Sequence, residues 1–408
     1  MKLYKPTKPL SHGHMAALLA MLITIMPFSI DAYLPALLDI STALNADIHH
    51  IEQSLSSFML GIAIGQITGG SLSDIKGRRN IALVGLCIYL IGSFGLIFVQ
   101  TADQLLTLRI VQALGAGMSA VVVGAVVRDN YQGREAAQMF ALIGIIVMAA
   151  PLIAPLFGSF LRGLAGWRSI FAFLFIYATF VTILLFRFLP QRKAAEPITR
   201  EQVRQIGSRY YAVLSNKAAL GFLFYQAASF ASMLVFLSES PFVYMKLYGL
   251  SPTQYAWVFG CNIVMMMSCN RLTAFGLKRN WESHHLLLVG IIIQFTANLL
   301  LFSSVMIAKQ PALWWFVPCV VCSVGAQGLI AANSQALFMG NFKPEMGGSA
   351  NAVLSSSQSL IGAGAGFVVT SLHNGTANVM AGGMFASTVV GMILLWTLSG
   401  KQLRQAKL

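Results

Sequence analysis

Three ionisable side chains interrupt stretches that are otherwise apolar: Asp31 in FSIDAYLP, Arg109 in LLTLRIVQALGAG and Glu239 in FLSESPFVY. A charge at the centre of a membrane helix costs about 2.5 to 3.5 kcal/mol, so each should face protein or a wet cavity and is a candidate for function. A carboxylate in such a place holds or releases a proton according to how dry its surroundings are and how near a cation lies. Pro35 strengthens the case for Asp31: it lacks the N–H that would bond the carbonyl of residue 31, which loosens the helix there. At about 1.5 Å per residue, Asp31 lies about 7 Å and Arg109 about 10 Å outward of the centres of their apolar runs. At that depth Arg109 can act as counter-ion to Asp31 or tune its proton affinity. Glu239 reads either as a solvated residue near the outer rim or as an additional proton or cation acceptor.

The elements that must position these groups are membrane helices. The 408 residues are 57% hydrophobic and 10% charged, against about 25% charged in a soluble chain. Twelve apolar runs, from 15–38 to 379–400, reach the roughly 20 residues that a bilayer crossing needs. Of the 27 Lys and Arg residues, 22 fall at the two termini or in alternate loops, while Arg162, Arg168, Lys246 and Lys309 fall on the opposite side. That asymmetry predicts cytoplasmic termini and accounts for the net charge of +14 without a nucleic acid partner. The first run is too long for a signal peptide and is read as an uncleaved helix. Cys87, Cys261, Cys269, Cys319 and Cys322 all sit in apolar runs, and the Cys319/Cys322 spacing lacks further ligands, so no metal site is expected.

A polar interval from Arg192 to Lys217 divides the runs six and six. The predicted organisation is an N-terminal six-helix bundle over 1–190, a cytoplasmic linker over 191–217 carrying an amphipathic helix, and a C-terminal six-helix bundle over 218–408. The halves are faintly alike, FSIDAYLP ending the first run much as FLSESPFVY ends the seventh. Gly61, Gly65 and Gly69, and again Gly362 and Gly366, recur every four residues and predict close helix approach. They serve either static packing or a smooth surface for rocking.

Local motifs narrow the reading further. The loop GGSLSDIKGRR, Gly69 to Arg79, resembles the signature of the major facilitator superfamily, with Gly70, Leu72, Asp74, Gly77, Arg78 and Arg79 in register and Ile75 where an arginine is usual. The resemblance implies that Asp74 and the following basic residues, with Asp129 of VVRDNY, form a latch between the halves. Arg109 and Gln112 fit the family's R-x-x-Q-G pattern, with Ala113 in place of its glycine. AAPLIAPLFGSFL, Ala149 to Leu161, resembles the superfamily's antiporter motif through Pro155 and Gly158, with Pro151 one turn earlier. These matches, together with DAYLP, GWRSIF and ESPFVYMKLYGLSP, are similar to the Bcr/CflA branch of the twelve-span drug:proton antiporters.

The resemblance implies an all-α integral membrane protein of twelve helices in two pseudo-symmetric bundles. It implies export of small amphipathic antimicrobials, phenicol-like or bicyclomycin-like, by alternating access in exchange for protons. The coupling residues would be Asp31, Arg109 and Glu239. The expected cavity is largely apolar with a few polar groups. Its candidate lining is Tyr33, Gln112, Met118, Tyr225, Gln226, Phe230, Phe236, Asn262, Gln327, Asn333 and Gln358, with Asp31, Arg109 and Glu239. The expected setting is a monomer in the bacterial cytoplasmic membrane, with protons as the coupling ion and no cofactor. A proton-coupled exporter of an amino acid or sugar is the alternative. An enzyme is disfavoured, since HExxH, GxSxG and P-loop patterns are absent.

Overall fold

A computed structural model describes residues 11–131, 133–190, 199–308, 310–343 and 346–405. The basic N-terminal decapeptide, the linker segment 191–198 and Lys309 lie outside the described residues. The first crossing is broken: α1 (His12–Asp31) stops at the aspartate, a 3-10 turn occupies Leu34–Ala36, and α2 (Leu37–Ala43) completes the span. The break falls where Pro35 withholds its amide. Next come α3 (Ile48–Lys76), α4 (Arg78–Ile97), α5 (Ala102–Asn130), α6 (Gly133–Ala165) and α7 (Arg168–Phe188). The short α8 (Arg200–Ser215) lies in the linker, where an amphipathic helix is predicted. After it run α9 (Lys217–Pro241), ending in a π turn over Phe242–Leu247, then α10 (Pro252–Lys278) and α11 (Ser283–Ala308). α12 (Leu313–Gly325) and α13 (Gln327–Met339) form one crossing interrupted at Ala326, and α14 (Gly347–Ser371) and α15 (Asn378–Gln405) close the fold.

Eleven of these crossings are long and apolar enough to span a membrane. The twelfth, α10, has 27 residues, or about 40 Å at 1.5 Å per residue, but Asn262, Asn270 and Arg271 lower its apolarity. Starts are set locally: Thr101 accepts from the Gln104 amide ahead of α5, and Ser251 and Gln254 form a capping box ahead of α10. Surface and interior are inverted relative to a soluble protein. Ile91, Phe94, Ile145, Ile176 and Phe186 are exposed, whereas Arg109, Glu52 and Glu239 are fully buried. That is the distribution hydrocarbon imposes.

The helices form two compact units, Met1–Ala46 with Ser57–Ser208, and Asp47–Ser56 with Arg209–Leu408. In the first, the glycine stripe of α3 lies directly on α5. A β-carbon at Gly61, Gly65 or Gly69 would strike the Ile110 carbonyl, the Leu114 carbonyl or the Met118 backbone. The backbone of Met118 therefore belongs to a helix seam, a contact that the glycines govern. In the second unit Gly362 of α14 leaves room for the ring of Phe230, whose nearest atom would be 3.1 Å from an added β-carbon.

Candidate functional site

Arg109 is fully buried in the first unit. Its Nη1 donates to Gln112 Oε1 at 2.8 Å and its Nη2 to the Ser29 carbonyl at 2.9 Å. The guanidinium lies between aromatic faces, 4.4 Å from the centroid of Tyr33 and 4.2 Å from that of Phe58, an arrangement favourable for a desolvated cation. Gln112 passes the chain on to Ser93 Oγ at 2.9 Å, and Ser29 Oγ shares a 2.6 Å hydrogen bond with Tyr89 OH. Tyr33, Arg109 and Gln112 are thus brought together beside Ser29, two residues before Asp31 at the break after α1. Of the two roles expected for Arg109, counter-ion to Asp31 or tuner of its proton affinity, the first would need an ion pair. Among the described residues none joins them within 4.0 Å, because the guanidinium is spent on Gln112, Ser29 and two rings. Asp31 is 5% exposed, a buried carboxylate at a helix end.

The prolines and glycine of α6 determine the space beside it. Pro151 and Pro155 lie inside the helix, and Gly158 packs so closely on α1 that a β-carbon there would run into the Ala32 carbonyl oxygen, one residue from Asp31. Gly158→Ala must therefore push α6 away from α1, at a cost of about 1–3 kcal/mol. The expected result is a lower unfolding temperature in detergent and slower transport, whereas Gly163→Ala on the same helix, with open space at its β-carbon, leaves both unchanged. Sequence reasoning missed Asp39 of α2, which takes a bidentate pair from Arg162 of α6, with Nη2 to Oδ1 at 2.9 Å. It fixes the far side of the same break.

At the other end of this unit Arg78 is the hub of the signature loop. It pairs with Asp74, reaches Asp129 Oδ2 with Nε at 3.1 Å, and donates to Ser73 Oγ at 2.7 Å, tying the ends of α3 and α5 to the start of α4. Arg79 turns away, donating to the Phe186 carbonyl at 2.6 Å and lying over the Phe186 ring. Ile75, in the usual arginine place, is buried. Gly77 sits at φ +87°, a conformation that L side chains avoid. Gly77→Ala is expected to lower stability by about 1–2 kcal/mol, read by thermal unfolding. Gly70→Ala serves as the near-neutral control, since its β-carbon meets Val121 Cγ2 at an ordinary 3.6 Å.

The second unit gathers its amides around a residue the sequence did not single out, Gln294 of α11. Its Oε1 accepts from Ser229 Oγ at 2.8 Å and from Tyr225 OH at 3.3 Å, and Gln327 Nε2 donates to the same Ser229 hydroxyl at 2.9 Å. Gln226 Nε2 donates to Gln358 Oε1 at 3.2 Å. Phe236 belongs to an aromatic group with Phe259 and Tyr244. Asn262 and Asn333 are less engaged with these: their amides go to the backbone carbonyls of Val258 and Leu329, and Asn333 also reaches Thr273. Glu239 is fully buried and pairs with His373 at 2.8 Å, which corrects its reading as a solvated rim residue.

Residues 17–367 match the family model described as Major Facilitator Superfamily. The chain is 27% identical over 387 residues to a bicyclomycin resistance protein homolog of Haemophilus influenzae, covering 95% of this chain and 96% of that relative. It is 30% identical over 319 residues to a chloramphenicol resistance protein of Pseudomonas aeruginosa, covering 76% and 74%. Among solved structures, a D-xylose–proton symporter shares the fold with a TM-score of 0.75 at 15% identity, covering 95% of this chain and 98% of that one. A family match that runs from the first membrane helix into the eleventh, on an all-helical fold shared nearly end to end with a solved transporter, places the chain in the major facilitator superfamily of multi-pass membrane transporters.

Proposed function

We propose that this transporter exports small amphipathic antimicrobials of phenicol or bicyclomycin type across the bacterial cytoplasmic membrane in exchange for protons, with both termini in the cytoplasm. The observation that carries the reading is Asp31, a buried carboxylate at a proline-dependent break in a membrane helix, with its nearby arginine committed to other partners. A carboxylate that is not locked in an ion pair is free to exchange a proton as its access to water changes. Protonation of Asp31 from outside favours drug release, and deprotonation towards the cytoplasm restores drug binding. Arg109 contributes by holding Ser29, Tyr33 and Gln112 around it. The names of the relatives support the drug classes, and the Pro151–Pro155–Gly158 segment supports exchange. The Asp74–Arg78–Asp129 hub is the natural seat of the conformational latch.

The test uses inverted membrane vesicles with an imposed pH gradient, challenged in turn with chloramphenicol, bicyclomycin, a cationic dye, amino acids and sugars. Proton release on addition of an antimicrobial supports the reading. Release with an amino acid or sugar and with none of the antimicrobials overturns it.

A further inference from the structure

Outside the Asp31 region, the second unit holds a group of side chains that the transport reading does not use. The first turns of α3, within Asp47–Ser56, carry His49 and Glu52; α9 ends with Glu239; and His373 follows α14. His49 Nδ1 lies 2.9 Å from Glu52 Oε2, and His373 Nδ1 lies 2.8 Å from Glu239 Oε2. The two imidazoles stack with centroids 3.2 Å apart, and the Phe242 ring covers both edge-on. Ligand atoms of His49, Glu239 and His373 all lie within 4.8 Å of one another.

Three buried atoms here have no hydrogen-bond partner among the described residues: Glu52 Oε1 and Glu239 Oε1, on side chains with no solvent exposure, and His373 Nε2. Each imidazole brings a ring nitrogen against a carboxylate, and Glu239 keeps a free buried oxygen, so the cluster offers imidazole and carboxylate ligands to one ion. Fully buried carboxylates also need a compensating positive charge, which a divalent ion supplies. Opening a histidine–carboxylate contact from 2.8 or 2.9 Å to the roughly 3.3 Å that separates ligands of a tetrahedral ion with bonds of about 2.0–2.1 Å requires only a small shift. Two imidazoles select a borderline transition ion over magnesium or calcium.

We propose that His49, His373 and Glu239, with Glu52 as fourth ligand or as the group orienting His49, form a site for one divalent transition-metal ion of the zinc type. A bound ion fastens the first turns of α3 to the end of α9 and the turn after α14, all within the second unit. A second trio, Glu282, His284 and His285, also brings its ligand atoms together. Glu282 and His285 are exposed to solvent, so this trio serves as the internal control.

The experiment titrates Zn2+ calorimetrically into the purified full chain, free of any affinity tag, in detergent. It also follows Co2+ by its visible absorption, whose intensity reports a four-coordinate site. One Zn2+ per chain and an intense Co2+ band are expected in the wild type and in the His284→Ala/His285→Ala variant. Affinity should fall at least about tenfold in Glu239→Gln and in His373→Ala. Glu239→Gln changes one ligand atom and nearly no volume, and size-exclusion and thermal unfolding confirm that it is folded. Absence of Zn2+ binding in the wild type, undiminished binding in folded Glu239→Gln, or loss of binding in the His284/His285 variant instead, overturns the proposal.

Discussion

Asp31→Asn is expected to cut drug-driven proton release in inverted vesicles by at least about a hundredfold, the lower end of what a positioned proton-transferring group contributes. Its unfolding temperature should match or exceed that of the wild type. Both halves of the prediction follow from the geometry. Asparagine has the shape of aspartate and cannot titrate, so a coupling role is removed without changing the packing of α6 on the Ala32 carbonyl. Because no ion pair ties Asp31 to Arg109, neutralising it strands no buried partner, and a neutral amide is cheaper to bury than a carboxylate. Asp31→Glu keeps a titratable group and should retain measurable release. Equal proton release from wild type and Asp31→Asn with a transported drug would remove Asp31 from the coupling mechanism. Reduced release together with a lower unfolding temperature would point instead to a structural role for the carboxylate.

The parts of this molecule legible from sequence are those where chemistry and local geometry coincide along the chain. Asp31 and Arg109 were readable because a charge in an apolar run is costly, and the break after α1 because proline cannot donate. The signature loop was readable through its resemblance to a family motif that runs along the chain, and the structure adds the positive φ of Gly77 and the Asp74–Arg78 pair across the α3–α4 junction. Partnerships made across the fold were not. His373 meets Glu239 from 134 residues away, and Gln294 looked like one polar letter in an ordinary span until α9, α11 and α13 brought Tyr225, Ser229 and Gln327 to it. The interruption at Ala326 between α12 and α13 has no proline beside it; Pro318 lies earlier, inside α12. Depth along a helix is linear in sequence, so Asp31 and Arg109 could be placed at one level. Direction around the helix is a tertiary property, and it decided that the guanidinium is held by Gln112 and Ser29.

Arg109→Ala carries the largest expected stability loss, about 3–5 kcal/mol. It deletes two hydrogen bonds from a charged donor, each worth about 1.5–3 kcal/mol in a buried setting. It also deletes contacts with the Tyr33 and Phe58 faces worth up to about 2 kcal/mol together, since the cation there is desolvated. The sum is discounted because these contacts share one side chain and are not additive. Gln112 Oε1 and the Ser29 carbonyl lose their donor, and the void opens against the turn that follows Asp31. Arg109→Lys tests whether shape or charge matters: an ammonium keeps the charge but cannot present a planar fork to Gln112 and Ser29 while lying flat between two rings. It should recover less than half of the loss. Thermal unfolding of the purified chain in detergent reads both variants against the wild type. If Arg109→Ala unfolds at the wild-type temperature, the guanidinium does not organise the break. If Arg109→Lys restores full stability, its positive charge suffices and the fork is incidental. The expected order, wild type above Lys above Ala, would mean that Arg109 acts on Asp31 through the residues it holds in place rather than as its ion-pair partner.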